Sequence, residues 1–403
     1  MSGAKNAILP IMAATLLCPG DCFIHEVPDL RDVTVMTDIL RSLGVKVEAG
    51  RGGDGGRSLT IHAGGLNTHV GPGDLMGQMR SSIFVMGPIL ARLGRATVAY
   101  PGGCAIGPRP IDLHLRGLSA LGAKFRERYG HIEAEAVALR GGEVHLDFPS
   151  VGATENVMMA AILAEGTTVI RNAAREPEIA DLQRFLNAMG GRVSGAGSDS
   201  VRVDGVATLH GAEHSVIPDR IEAGTFLAAV GVAGGHVEFR NVVGEHIEAA
   251  MAKMREAGLI ITEGRSGLMV TATARLRAVD FKTLPYPGFP TDLQPQAMAL
   301  MTVAEGTSLI TETVFDKRFN HVEELSRMGA RIRVEGRAAV VEGVPGLSGA
   351  EVAAPDLRGG MALVIAGLAA EGVTKVRGTE HIDRGYEGLE AKLSALGAAI
   401  GRE

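Results

Sequence analysis

The sequence predicts an α/β protein of two lobes, each assembled from three repeated units of about 70 residues, and two independent series of glycines carry that prediction. The first series follows a hydrophobic residue: Leu43-Gly44, Leu121-Gly122, Met189-Gly190, Ala257-Gly258, Met328-Gly329 and Leu396-Gly397. The second closes apolar runs at Gly20, Gly94, Gly166, Gly235, Gly306 and Gly372. Composition agrees. Glycine supplies 55 of 403 residues, about twice its usual share of ~7%, yet 46% of the chain is hydrophobic, so the surplus belongs to ordered repeats rather than to disorder.

Each unit reads as an apolar helix, a glycine stop, a short strand, a loop, an amphipathic helix, a second glycine stop and more strand. In the third unit the pattern predicts a helix over 151–164, a strand over 167–171, an amphipathic helix over 178–189 and extended chain over 192–194. Glycine suits the left-handed residue that ends a helix, where a Cβ is costly. Extended segments precede the first helices at 58–62, 143–148 and 338–342. Only four residues precede Lys5, so the first unit reads as lacking its N-terminal strand. The division into two sets of three falls near 215–219. It gives a first domain over 5–217 and a second over 218–403, with residues 1–4 as the remnant of an N-terminal crossing that belongs to the second.

Forty basic against 46 acidic side chains give a net charge of -6, with no block of five like charges. Bulk electrostatic attachment to nucleic acid or to a membrane surface is thereby disfavoured. Three cysteines, Cys18, Cys22 and Cys104, suit a reducing compartment and a cytoplasmic protein. Lys5 ahead of the apolar run 7–18 superficially resembles a secretory signal, but the same run recurs in the later units, which assigns it to the fold.

The informative charges stand at the predicted helix starts: Lys5 and Asn6, Arg80, Arg220, Asp292 and Arg358, with Ser150, Val151 and Gly152 opening the third. Loops ahead of the second helices bring Arg109, Arg318 and Arg384. Helix N-termini already carry free N–H groups and a positive dipole end, so cations gathered there call for an anion, and the pattern predicts a small polyanionic substrate. The Gly/Pro-rich loop 101–110 holds Cys104 beside Arg109, where a thiol can serve as acid or nucleophile. Cys18 and Cys22 read as small core residues, with no histidine pair nearby to make a metal site. Asp292 reads either as a helix cap or as a general base. There is no Walker loop and no dinucleotide fingerprint, so neither a nucleoside triphosphate nor a nicotinamide cofactor is expected.

Nine motifs carry a family resemblance: SGAKNA (2–7), MRSSI (79–83), PGGCAIGPRPIDLH (101–114), SVGAT (150–154), NAAREPEI (172–179), FPTDLQ (289–294), TETVFDKRFNH (311–321), PDLRGG (355–360) and HIDRGYE (381–387). Through them nearly the whole chain resembles the UDP-N-acetylglucosamine 1-carboxyvinyltransferase family of enolpyruvyl transferases. The resemblance implies a two-domain inside-out α/β barrel, with three βαβαββ units per domain, helices inside and sheets outside. It implies transfer of the enolpyruvyl group of phosphoenolpyruvate to the 3'-hydroxyl of UDP-N-acetylglucosamine, through a tetrahedral ketal and without metal or cofactor. Cys104 matches the proton donor and the thiol alkylated by fosfomycin, and Asp292 matches the base; Lys5 and Arg384 complete the catalytic set. Lys5, Asn6, Arg109, Arg318, Arg358 and Arg384 match the phosphoenolpyruvate cluster. Arg80, Arg109, Pro110, Ile111, Asp112, Leu113, Ser150, Val151, Gly152, Asp292 and Val314 match the sugar-nucleotide contacts, while Phe148 stands where some members carry lysine. Two alternatives remain open: the sister transferase that uses shikimate 3-phosphate, which lacks the cysteine loop, and a two-lobed ligand-binding relative without activity.

Overall fold

In the computed structural model, residues 1–52, 55–102, 111–264 and 267–403 are described. Six largely apolar helices form the centres of the fold: α1 (Lys5–Ala14), α2 (Met86–Leu93) and α3 (Val151–Ala161), then α4 (Arg220–Ala233), α5 (Gln294–Met301) and α6 (Leu357–Leu368). A helix that is apolar on all sides has to be covered on all sides. Every residue of α5 is buried, and in α1 only Asn6 is not. Within the second half of the chain α4, α5 and α6 pack on one another, and in the first half α3 packs on both α1 and α2.

The chain divides into two compact units, one holding residues 3–102 and 111–217, the other Met1–Ser2 and Pro218–Glu403. The division falls after Ser2, not after residue 4 as the sequence suggested. Ala4 N–H donates to the Ile217 carbonyl at 2.7 Å and stays with the first unit, whereas Asp219 N–H donates to the Ser2 carbonyl at 2.8 Å in the second. Between these bonds Gly3 lies so close to Glu26 that a Cβ would stand 1.9 Å from its carbonyl oxygen, so no larger residue fits.

Short sheets surround the helices. In the first unit Glu143–His145 runs parallel to Thr167–Arg171, which pairs antiparallel with Ser200–Asp204 and through it with Arg192–Ser194. Asp21–His25 heads an equivalent sheet, antiparallel to Arg57–His62, with Lys46–Arg51 beyond. Its parallel edge is occupied by Glu213–Ser215, with Phe23 opposite Glu213. This corrects the reading of a missing strand in the first unit: the edge strand comes from the far end of the same domain, out of reach of any local pattern. Two extended segments are also reassigned. Residues 58–62 and 338–342 close the sheets of their own units, antiparallel to Asp21–His25 and Thr307–Thr311, rather than opening the next. Among the described residues two sheets have three strands: Arg95–Ala99 with His131–Glu135 and Lys124–Arg128, joined by a parallel bridge from Val70 to Thr97, and Gly235–Arg240 with Gly267–Ala272 and Ile260–Glu263, all antiparallel.

The third unit follows the sequence expectation closely, with helices Val151–Ala161 and Pro177–Ala188 around the strand Thr167–Arg171. Its centre is pinned by a fully buried Asn156 on α3. The Asn156 Oδ1 accepts from Gly87 N–H at 2.8 Å, and its Nδ2 donates to the Ile83 carbonyl at 3.0 Å and to His114 Nδ1 at 3.1 Å. Gly87 has to be glycine here, because a Cβ would stand 2.4 Å from that Oδ1. The preceding residue, Glu155, is completely buried, and neither carboxyl oxygen finds a hydrogen-bond partner among the described residues.

Burial, followed by the nearby Glu178 and Glu176, raises the Glu155 pKa well above the usual carboxyl value. A raised folded pKa means full stability below the unfolded pKa of ~4.3, then a loss of ~1.4 kcal/mol for each further pH unit until the folded value is reached. Glu155→Gln removes this loss. Thermal unfolding is therefore expected to show the variant gaining on the parent between pH 5 and pH 8, and a gap independent of pH would contradict the assignment.

Candidate active site

The second unit gathers three expected residues at one point. Asp292 lies in a 3-10 turn, Thr291–Leu293, just ahead of α5, and it caps no helix: the N-cap of that turn is Pro290, with no side-chain bond. The cap reading is thereby overturned, because both carboxylate oxygens are taken by arginines. Arg318 Nη2 donates to Oδ1 at 2.7 Å, while Arg358 donates to Oδ2 from Nη2 at 3.1 Å and Nε at 3.3 Å. Both guanidinium side chains are only 4% exposed. Buried donors are nearly always bonded, yet Arg318 Nε and Arg358 Nη1 have no partner among the described residues. Two guanidiniums with unspent N–H groups beside one shared carboxylate form a receptor for acceptor oxygens of an anion.

Neighbouring groups hold this pair in place. Asp356 caps α6, its Oδ1 accepting from Arg358 N–H at 2.9 Å and Gly359 N–H at 3.0 Å, which fixes the turn that carries Arg358. Burial alone would lower the Arg358 pKa, but Tyr386, Asp292 and Asp219 outweigh it and raise the pKa. The Tyr386 ring lies 5.4 Å beneath that guanidinium, and its hydroxyl meets Thr225 at 2.8 Å and Gln296 at 3.0 Å. His321 is buried beside these residues. Burial, reinforced by Arg318 and opposed by Asp356, lowers its pKa to about 4, so it adds no charge at neutral pH. Glu312 organises the loop ahead of Arg318: Thr283 and Thr291 hydroxyls donate to it at 2.8 and 2.9 Å, and the Val314 and Phe315 amides at 2.8 and 3.1 Å. Arg384 ends the 3-10 turn Thr379–Arg384. Flanking it, Ile382 packs against Gly360 and Gly385 against Leu357, both in the first turn of α6.

The first unit holds the other half of the expected residues. Lys5 opens α1, where no side chain caps the helix, and its Nζ pairs with Asp32 at 2.9 Å. Arg80 opens the 3-10 turn Arg80–Val85 that leads into α2. Ser150 caps α3 by accepting from Ala153 N–H at 3.3 Å, with Val151 and Gly152 half-buried in the first turn. A Cβ on Gly152 would approach His114 at 3.1 Å and Phe84 at 3.2 Å. Ile111 is buried and precedes the helix Asp112–Ala120, in which Asp112 and Leu113 form the first turn. Both α1 and α3 pack on the turn Arg80–Val85. Cys104, Arg109 and Pro110 lie outside the described residues.

Several participants were not anticipated. Asp32, Asn156, Glu312, Asp219 and Tyr386 each orient an expected residue, yet none stands in a local pattern that sets it apart. Only the flanking threonines in Thr311-Glu312-Thr313 hinted at a carboxylate surrounded by hydroxyls. Cys18 and Cys22 are fully buried free thiols, in keeping with a core role. The described residues contain no cluster of histidine, cysteine and carboxylates fit for a metal, and no helix long and apolar enough to cross a membrane.

Comparison with known proteins places the chain in a family. Residues 1–393 match the model of the family EPSP synthase (3-phosphoshikimate 1-carboxyvinyltransferase). The chain belongs to that family. Among curated relatives, UDP-N-acetylglucosamine 1-carboxyvinyltransferase 1 of Symbiobacterium thermophilum is 61% identical over 403 residues, covering 100% of this chain and 91% of the relative. The protein of the same name from Caldanaerobacter subterraneus subsp. tengcongensis is 54% identical, covering 100% and 96%. The crystal structure of the enolpyruvyl transferase NikO from Streptomyces tendae superposes with a TM-score of 0.87 at 25% identity, over 98% of this chain and 94% of that one. EPSP synthase from Acinetobacter baumannii gives 0.75 at 18% identity over 100% and 96%, a likeness of fold alone. The mixed α/β, two-domain architecture is thus that of the enolpyruvyl transferases.

Glu312→Gln puts an amide N–H where hydroxyl and amide donors converge. The substitution is expected to cost about 1–3 kcal/mol in denaturant unfolding, the range for a buried charge-assisted acceptor. A loss below a few tenths of a kcal/mol would show that the carboxylate does not hold the loop.

Proposed function

We propose that this chain transfers the enolpyruvyl group of phosphoenolpyruvate to the 3'-hydroxyl of UDP-N-acetylglucosamine, releasing phosphate for peptidoglycan synthesis in the cytoplasm. The observation that carries the reading is the pair of buried guanidiniums, Arg318 and Arg358, whose remaining donors Nε and Nη1 suit the oxygens of a small polyanion. The names of relatives 54–61% identical over the whole chain supply the acceptor sugar. The same likeness supports six βαβαββ repeats in two inside-out barrels, three repeats to a domain.

In this reading the carboxylate and phosphate of phosphoenolpyruvate are held by Lys5, Asn6, Arg109, Arg318, Arg358 and Arg384. Fixed cations stabilise developing charge without reorganising during the reaction. Asp292 takes the proton of the sugar hydroxyl as its oxygen bonds to C2 of phosphoenolpyruvate, and Cys104 delivers a proton to the C3 methylene. Collapse of the ketal then breaks the C2–O bond to phosphate as the Cys104 thiolate takes back a proton from C3. To act as base, Asp292 has to exchange part of its bonding to Arg318 and Arg358 for the substrate hydroxyl, so anion binding by those arginines and proton transfer are coupled. Arg80, Arg109–Leu113, Ser150–Gly152 and Val314 contact the nucleotide, with the free N–H groups of the α3 start facing its phosphates. Asp292 also contacts the sugar.

Phosphate release is expected with phosphoenolpyruvate plus UDP-N-acetylglucosamine and not with shikimate 3-phosphate; the reverse preference would make the chain the sister transferase, and silence with both would leave a ligand-binding relative. Cys104→Ser is expected to lose turnover by about 100-fold or more, within the span of a lost general acid, and to block alkylation by fosfomycin. Full activity in that variant would remove Cys104 from the chemistry.

A further inference from the structure

Arg384 stands on a short 3-10 turn, and its neighbour Asp383 brings a carboxylate next to the group proposed to bind an anion. Both oxygens of that carboxylate are engaged by one residue of the C-terminal tail. Arg402 Nη1 donates to Asp383 Oδ2 at 2.9 Å, Nη2 donates to Oδ1, and Nε donates to Glu390 on the helix Leu389–Ala395. This fork-on-carboxylate geometry is the orientation-specific kind of ion pair, unlike a single lysine contact. The tail itself is fastened apart from Asp383: Ile400 packs against the core of the second unit, and Lys375 Nζ pairs with Glu403 at 3.2 Å.

We propose that Arg402 is a positioning residue for the reaction: by occupying both oxygens of Asp383 it fixes the turn that carries Arg384 and keeps that carboxylate from competing with the anionic substrate for Arg384. The mechanical link is short. Ile382 and Gly385 seat the turn on the first turn of α6, the same turn that supplies Arg358, so a tilt of residues 382–385 moves Arg384 relative to Arg358. The family pattern matches residues 1–393, so Arg402 lies outside the matched span.

The inference rests on the proposed function and is separable from it. The parent enzyme is first assayed for phosphate release with UDP-N-acetylglucosamine, and Arg384→Gln is assayed beside it. An inactive parent would sink the functional reading itself, whereas an unaffected Arg384→Gln in an active parent would remove the role of Arg384 and overturn the positioning role of Arg402 with it. Given both, Arg402→Gln is expected to raise the KM for phosphoenolpyruvate about three- to tenfold, with the KM for UDP-N-acetylglucosamine and the melting temperature little changed, since half-exposed ion pairs contribute little to stability. Arg402→Lys, which keeps the charge and loses the fork, is expected to fall between. Lys375→Gln, which loosens the tail but leaves Asp383 clasped, is expected to behave as the parent. An unchanged KM for phosphoenolpyruvate in Arg402→Gln would overturn the proposal, as would an equal rise of both KM values or the same defect in Lys375→Gln.

Discussion

Two buried guanidiniums sharing the carboxylate of Asp292 constrain almost everything around them in the second unit. Arginine charge is stable inside a protein only when opposite charge or acceptor oxygens surround it. Asp292 provides part of that, bridging Arg318 and Arg358 from residues 26 and 66 positions away in the chain. The remainder is distributed: Asp356 and Asp219 cap the helices that flank the pair, Tyr386 lies under Arg358, and Glu312 holds the loop leading to Arg318. What is left over, Arg318 Nε and Arg358 Nη1 without a partner among the described residues, is what the proposed function assigns to the anion. Donors already held by protein partners lower the ordering cost of binding.

The first unit solves a related problem with a neutral hub. Asn156 ties the turn Arg80–Val85, α2 and the helix Asp112–Ala120 to α3, so the helix starts that carry Arg80, Asp112 and Ser150 are set by one amide. Lys5 has its own counter-charge in Asp32. The arrangement pairs cations that can bind an anion with carboxylates that hold them at a fixed angle, and it relies on helix termini for the remaining donors. Packing at this closeness explains part of the glycine surplus, since Gly87 and Gly3 leave no room for a Cβ.

Much of this was legible in the amino-acid sequence. The two glycine series located the helices, and the third unit matched its expected elements within a few residues. Helix-start cations pointed to an anion, and Asp292, Arg318 and Arg358 do meet. Two things were out of reach for physical reasons. A parallel edge strand three residues long, Glu213–Ser215, pairs with Asp21–His25 across nearly the whole first domain, and nothing local marks it. The second is the choice of partner. An aspartate at a helix start looks like a cap, and only tertiary structure reveals that Pro290 holds the cap position while two arginines claim the carboxylate. Asp32, Asn156 and Glu312 were missed for the same reason, because each acts through a contact distant in sequence.

The central claim is that Arg318 and Arg358 act as one anion-binding unit through Asp292. A double-mutant cycle on phosphoenolpyruvate binding, measured calorimetrically in the presence of UDP-N-acetylglucosamine with Arg318→Gln, Arg358→Gln and the double variant, tests it most directly. A bridged pair predicts that either single change loses nearly as much affinity as both together, with a coupling of about 1–3 kcal/mol. Additive losses within about 0.5 kcal/mol would mean two independent cations and would contradict the account.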